Sequence, residues 1–126
     1  MEVSNPTVSE IRDWAFSKED WPDSEWPIFL AWSREIALFI ELASNHKCPK
    51  QDFFRFMLYY IVGYNYKMPS KAETNEEIQF FISKGQGINH GEIRRWVNQA
   101  QDLIKGKTVY TYSDWRGGEL ANYDFT

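Results

Sequence analysis

Polar residues are sparse from position 26 to position 66, and the apolar ones fall at helical spacing. Residues 26–44, WPIFLAWSREIALFIELAS, leave only a narrow polar stripe through Arg34, Glu41 and Asn45, with Glu35 at its margin. Residues 49–66, PKQDFFRFMLYYIVGYNY, carry no charge after Arg55 until Lys67. A helix that is apolar around most of its circumference must be covered around most of it. The pattern therefore predicts two helices, 26–44 and 49–66, paired as an innermost hairpin across the linker Asn45-His46-Lys47-Cys48. Ser24 is the expected N-cap of the first helix, with Pro27 in its first turn. Pro49 suits the start of the second, and Asp52 suits its positive end. Gly63 marks a close crossing or the onset of fraying.

Three further helices follow from the same reading. Thr7 and Glu10 have capping-box spacing before a face of Val8, Ile11, Trp14 and Ala15, which predicts a helix over 7–16. Thr74 and Glu77 repeat that spacing ahead of Ile78, Phe81 and Ile82, so a short helix is expected over 75–83, ended by Gly85 and Gly87. Asn89 and Glu92 open a helix over 90–105. Its apolar positions Ile93, Trp96, Val97, Ala100 and Ile104 make the cleanest amphipathic pattern in the chain. Residues 108–115, TVYTYSDW, are β-branched and aromatic and read as a short extended segment. The C-terminal stretch holds Tyr110, Tyr112, Trp115, Tyr123 and Phe125, which is too aromatic for plain disorder, so it should lie across the helices. The expectation is an all-α single domain of about five helices, in a bundle, with an aromatic C-terminal segment laid over it.

Length and composition sharpen this. A chain of 126 residues suits one core. Aromatic residues make up 17%, an excess that fits either a ring-filled core or a ring-rich binding surface. The net charge is −4, and the acidic excess lies in the first half: residues 1–63 hold six Lys/Arg and ten Asp/Glu, residues 64–126 eight of each. Non-specific attraction to nucleic acid is not expected from such a balance. The single cysteine, Cys48, rules out an intrachain disulfide and fits a reducing cytosol. The start of the chain lacks the basic and apolar runs of a signal peptide. No apolar run approaches the roughly 18 residues that span a bilayer. A cytoplasmic protein with no membrane partner is the expectation.

Candidate chemistry is thin. The two histidines, His46 and His90, have no metal-ligand spacing with each other or with Cys48. His90-Gly91-Glu92 has the H-x-E spacing of deaminase zinc sites, but the two downstream thiolates that chemistry needs are missing. Cys48 sits where a helix dipole would lower a thiol pKa, yet no third catalytic group accompanies it. Glu35 and Glu41 diverge by about 240° on a helix wheel and do not converge on one substrate. The glycines of residues 84–91 follow a helix rather than a strand, which excludes the dinucleotide and phosphate-loop motifs. No catalytic residue, metal ligand or cofactor is expected.

Two surfaces remain. Residues 18–27, KEDWPDSEWP, set Asp20, Asp23 and Glu25 among Trp21 and Trp26. Acids would steer a basic partner and a buried ring would anchor it; alternatively, both tryptophans fold inward. Helices at 75–83 and 90–105 separated by a glycine turn also suit a helix-turn-helix with Arg94, Arg95, Asn98 and Gln99 toward DNA. Glu92, Asp102, the acidic total and the long turn weigh against it. By elimination and fit, the leading expectation is a non-catalytic protein-binding module, such as a small bacterial immunity or inhibitor protein, which meets a basic protein through Asp20, Trp21, Asp23, Glu25 and Trp26. An enzyme whose site assembles from distant residues, around Cys48 or Glu41, ranks last. An aromatic face left uncovered could equally pair two copies as a homodimer.

Overall fold

A computed structural model describes residues 1–67 and 71–122. Among them the fold is all-α, with seven helices and no strand: α1 (Val8–Ala15), α2 (Trp26–Ser33), α3 (Ile36–Ser44), α4 (Gln51–Tyr66), α5 (Lys71–Gly85), α6 (Gly91–Ile104) and α7 (Tyr112–Trp115). Their buried residues join in one hydrophobic cluster. The middle of α4 is its centre. Phe54, Met57, Leu58, Tyr59, Ile61 and Val62 are all buried there, and α2, α3, α5, α6 and α7 each pack against this helix. The α3–α4 pair is the innermost one, as the density of apolar residues required. Phe39 of α3 meets Phe54 of α4 with ring centroids 5.9 Å apart.

The predicted helix over 26–44 is in fact two. Arg34 adopts the left-handed conformation, φ 56° and ψ 27°, and its N–H reaches back to the Ala31 carbonyl. Helices usually stop this way at glycine, because an L side chain there crowds the carbonyl. No glycine or proline marks the break in the sequence. Tertiary packing imposes it, since the turn lets α2 lie on α4 while α3 reaches α4, α5 and α6. Arg34 is held in place by an ion pair with Glu77 of α5.

The helix starts are mixed. The Thr7–Glu10 capping box forms in both directions, at 3.0 and 3.1 Å, and the first of these, from the Thr7 N–H to the Glu10 carboxylate, holds that carboxyl below its ordinary pKa. Val8, however, remains exposed. Ser24 does not cap α2. Asp23 accepts the Glu25 N–H at 2.8 Å instead, because a short carboxylate closes an Asx turn more strongly than a hydroxyl. Thr74 does not cap α5 either: the helix begins a turn earlier, and Thr74 is buried inside it. Pro49 lies in the turn before α4, and Lys50 holds the cap position. His90 holds that position for α6, while Asn89 accepts from Arg94 Nη1 at 2.8 Å.

The C-terminal segment does lie across α4. Tyr110 stacks on Tyr66 at 5.2 Å, and the buried Trp115 packs on Tyr59 at 5.5 Å. A Cβ placed on Gly118 would lie 3.1 Å from the Phe56 ring. The expected extended run is interrupted. Thr111 is extended, and its hydroxyl then caps the single turn of α7. An isolated strand needs a partner ladder, and an all-α core offers none. Tyr123 and Phe125 lie outside the described residues.

Candidate functional site

The acidic segment is fastened at its base by α1 and α4. Lys50 is the main clamp. Its Nζ donates to the Trp14 carbonyl at 2.7 Å and the Ser17 carbonyl at 2.6 Å, and lies 4.3 Å from the centre of a Trp14 ring. Burial pushes the Lys50 pKa down, against the pull of Cys48, Glu19 and Asp20. Trp14 adds a second tie by donating its indole N–H to the Asp20 carbonyl at 3.0 Å. The backbone is thus held while the side chains beyond it face water.

The five residues singled out in the sequence divide. Asp20, Asp23 and Glu25 are exposed, and none forms an ion pair among the described residues. Trp21 is 49% exposed and rests edge-on against Phe53 at 5.8 Å. Trp26 is not at the surface. It is 0% exposed and packs against Trp14 at 5.3 Å, so no partner can reach its ring without unfolding α2. The physical reason is its place at the first residue of α2, where its ring enters the common core against Trp14 of α1. Trp21 sits in a non-helical stretch with no such obligation.

Beside Trp21 the structure adds residues the sequence reading missed. Phe53, Phe56, Tyr60 and Tyr64 occupy α4 at i, i+3, i+7 and i+11. Neighbouring ring centroids lie 6.0, 5.5 and 6.3 Å apart in that order. Trp32 of α2 is 55% exposed and donates its indole N–H to the Tyr64 hydroxyl at 2.7 Å. Arg116 spans Tyr60, Tyr64 and Tyr112 on the other side, 5.2 to 5.4 Å from each ring centre. Their i, i+3, i+7 spacing was the available signal. It was hidden because α4 carries aromatics on its buried faces as well.

The other candidates lie elsewhere. Arg94, Arg95, Asn98 and Gln99 line an open cleft on α6 with Gly91, Asp102 and Thr108. Arg95 donates to the Leu120 carbonyl at 2.7 Å, and Glu92 of the same helix pairs with Arg55. Cys48 is buried, with its thiol 3.7 Å from the Ala15 carbonyl, and burial pushes its pKa up. Glu41 pairs with Arg12. His46 is exposed, and His90 is half-buried. Among the described residues no group of three His, Cys, Asp or Glu side chains converges to hold a metal, and no helix is long and apolar enough to cross a membrane.

No family model, no curated protein and no solved structure matches the chain.

Proposed function

We propose that this protein is a non-catalytic binding module that engages a basic protein partner, as a small inhibitor or immunity-type protein would. The observation that carries the reading is the loop itself. Asp20, Asp23 and Glu25 stand exposed, and none forms an ion pair among the described residues, beside a half-exposed Trp21. Exposed like charges held in no ion pair repel one another and gain when a cationic surface arrives. A tryptophan already seated on Phe53 loses little side-chain freedom on binding, which is what an anchor residue needs. The buried, unpaired Cys48 suits a reducing compartment, and the proposal places the protein in the cytoplasm.

The test is capture from a lysate of the source organism at moderate salt, with nuclease-treated and untreated halves. Wild type is compared with a variant carrying Asp20→Lys, Asp23→Lys and Glu25→Lys. The reading expects one stoichiometric basic protein that survives nuclease and is lost with the variant. Retention of the same protein by the variant, or no protein at all, would overturn it.

A helix-turn-helix regulator is the second reading, supported by exposed Arg94 and Asn98 on α6. It expects salt-sensitive DNA retention that Arg94→Ala with Arg95→Ala abolishes. Absence of retention even at low salt would remove it.

A further inference from the structure

A stable protein interface covers about 800 Å² on each partner, drawn from roughly 20–30 residues. The loop 18–27 cannot supply that by itself. The surface that continues it is the aromatic row of α4. Helix geometry sets Phe53, Phe56, Tyr60 and Tyr64 within about 80° of one another around the axis, along about 16 Å. Phe53, Phe56 and Tyr64 are half-buried, Tyr60 between them is 7% exposed beneath Arg116, and an exposed tryptophan stands at each end: Trp21 against Phe53, Trp32 against Tyr64.

Charge along this row is lopsided. Asp20, Asp23 and Glu25 gather at the Trp21 end. Arg116 covers Tyr60 and Tyr64 at the other. No sheet edge exists among the described residues for a partner strand to extend, and the α4 backbone is already hydrogen-bonded within its helix. What α4 offers is side chains at helical spacing.

We infer that this row is the apolar half of the docking surface, and that its occupant is an amphipathic helix of the partner. That helix is about three turns long, with its cationic residues gathered at the end that meets Asp20, Asp23 and Glu25. Reversed, it would set those cations against Arg116 and leave the three carboxylates unpaired, so charge fixes the direction. Trp21 and Trp32 are the two anchors. The inference rests on the proposed binding of a basic partner and adds the shape and polarity of what binds.

The experiment follows indole N–H signals in the ¹⁵N-labelled full chain, assigned with Trp21→Phe and Trp32→Phe. Three probes are titrated: a helical leucine–glutamine peptide of about 14 residues with lysines gathered at one end, the same peptide with glutamine at those positions, and a short lysine oligomer. The lysine-ended peptide should move both the Trp21 and Trp32 signals. Its affinity should fall about tenfold in Trp32→Ala, and about tenfold in the variant with Asp20→Asn, Asp23→Asn and Glu25→Gln. Movement of Trp21 alone, by lysine oligomer and peptide alike, would overturn the helix-on-row inference and leave the acidic-loop reading standing. Equal binding of the glutamine peptide would overturn the charge assignment of the occupant. No movement of either signal with any cationic probe would remove both. A dimer by sedimentation without peptide, broken by Trp32→Ala, would make a second copy the occupant and overturn the inference.

Discussion

Gly63 and Trp115 approach so closely that a Cβ on Gly63 would lie 2.6 Å from the Trp115 Cβ. The glycine is therefore the docking point of the C-terminal segment on α4, and the close crossing read from the sequence is real, although the element crossing there is a single turn. Alanine at a helical glycine normally gains about 1 kcal/mol, while overpacking a rigid contact costs about 1–3 kcal/mol. Gly63→Ala should therefore destabilise the protein, by up to about 2 kcal/mol in a urea melt. A stabilised variant would show that α7 is not seated against α4.

Phe39 and Met57 are both fully buried at the α3–α4 pairing. Phe39→Ala and Met57→Ala should each cost about 2–5 kcal/mol, since each leaves a cavity where the surroundings are fixed on all sides. A denaturant midpoint that moves by less than about 1 kcal/mol in either variant would displace this pair from the centre of the core.

The turn between α2 and α3 makes a sharper prediction. Arg34 contributes its ion pair with Glu77 but occupies left-handed backbone, which costs an L residue about 1–2 kcal/mol. Arg34→Ala and Arg34→Gly both lose the pair, and only glycine relieves the backbone. The glycine variant should be the more stable of the two by about 1 kcal/mol. Equal midpoints would mean that the turn relaxes when the side chain is removed.

Cys48 lies against the Ala15 carbonyl, and its thiol is pushed above the ordinary range by burial. A thiol reagent at mildly alkaline pH should modify native protein far more slowly than urea-unfolded protein, because both access and the thiolate fraction are suppressed. Fast labelling of the native state would show the site open, and the reading of Cys48 as a packing residue would fail.

Much of the fold was legible because several segments have only one apolar face. Helix α6 shows this best: Ile93, Trp96, Val97 and Ala100 are buried as their spacing required, whereas Ile104 is only half-buried and Leu103 takes the buried place in the last turn. The break at Arg34 was not legible. The usual signals of a stop are glycine and proline, and the force that breaks the helix is packing against elements distant in the chain. The surface was half legible for a related reason. Trp21 and Trp26 sit in similar acidic surroundings, and only the start of α2 separates the exposed ring from the buried one. On α4, the half-buried Phe53 and Tyr64 cannot be told from the buried Phe54 and Tyr59, because the helix is aromatic on several faces at once.

The most direct test of the binding proposal uses the captured partner in purified form. Its affinity is measured for wild type, for the variant with Asp20, Asp23 and Glu25 changed to Lys, and for Arg94→Ala with Arg95→Ala. Charge reversal beside Trp21 should weaken binding by more than about tenfold, or about 1.4 kcal/mol, with most of the loss fading at high salt. The α6 variant should bind within about twofold of wild type, because rim charges far from an interface contribute little. The reverse order, with the loop variant unaffected and the α6 variant defective, would contradict the account and move the site to α6.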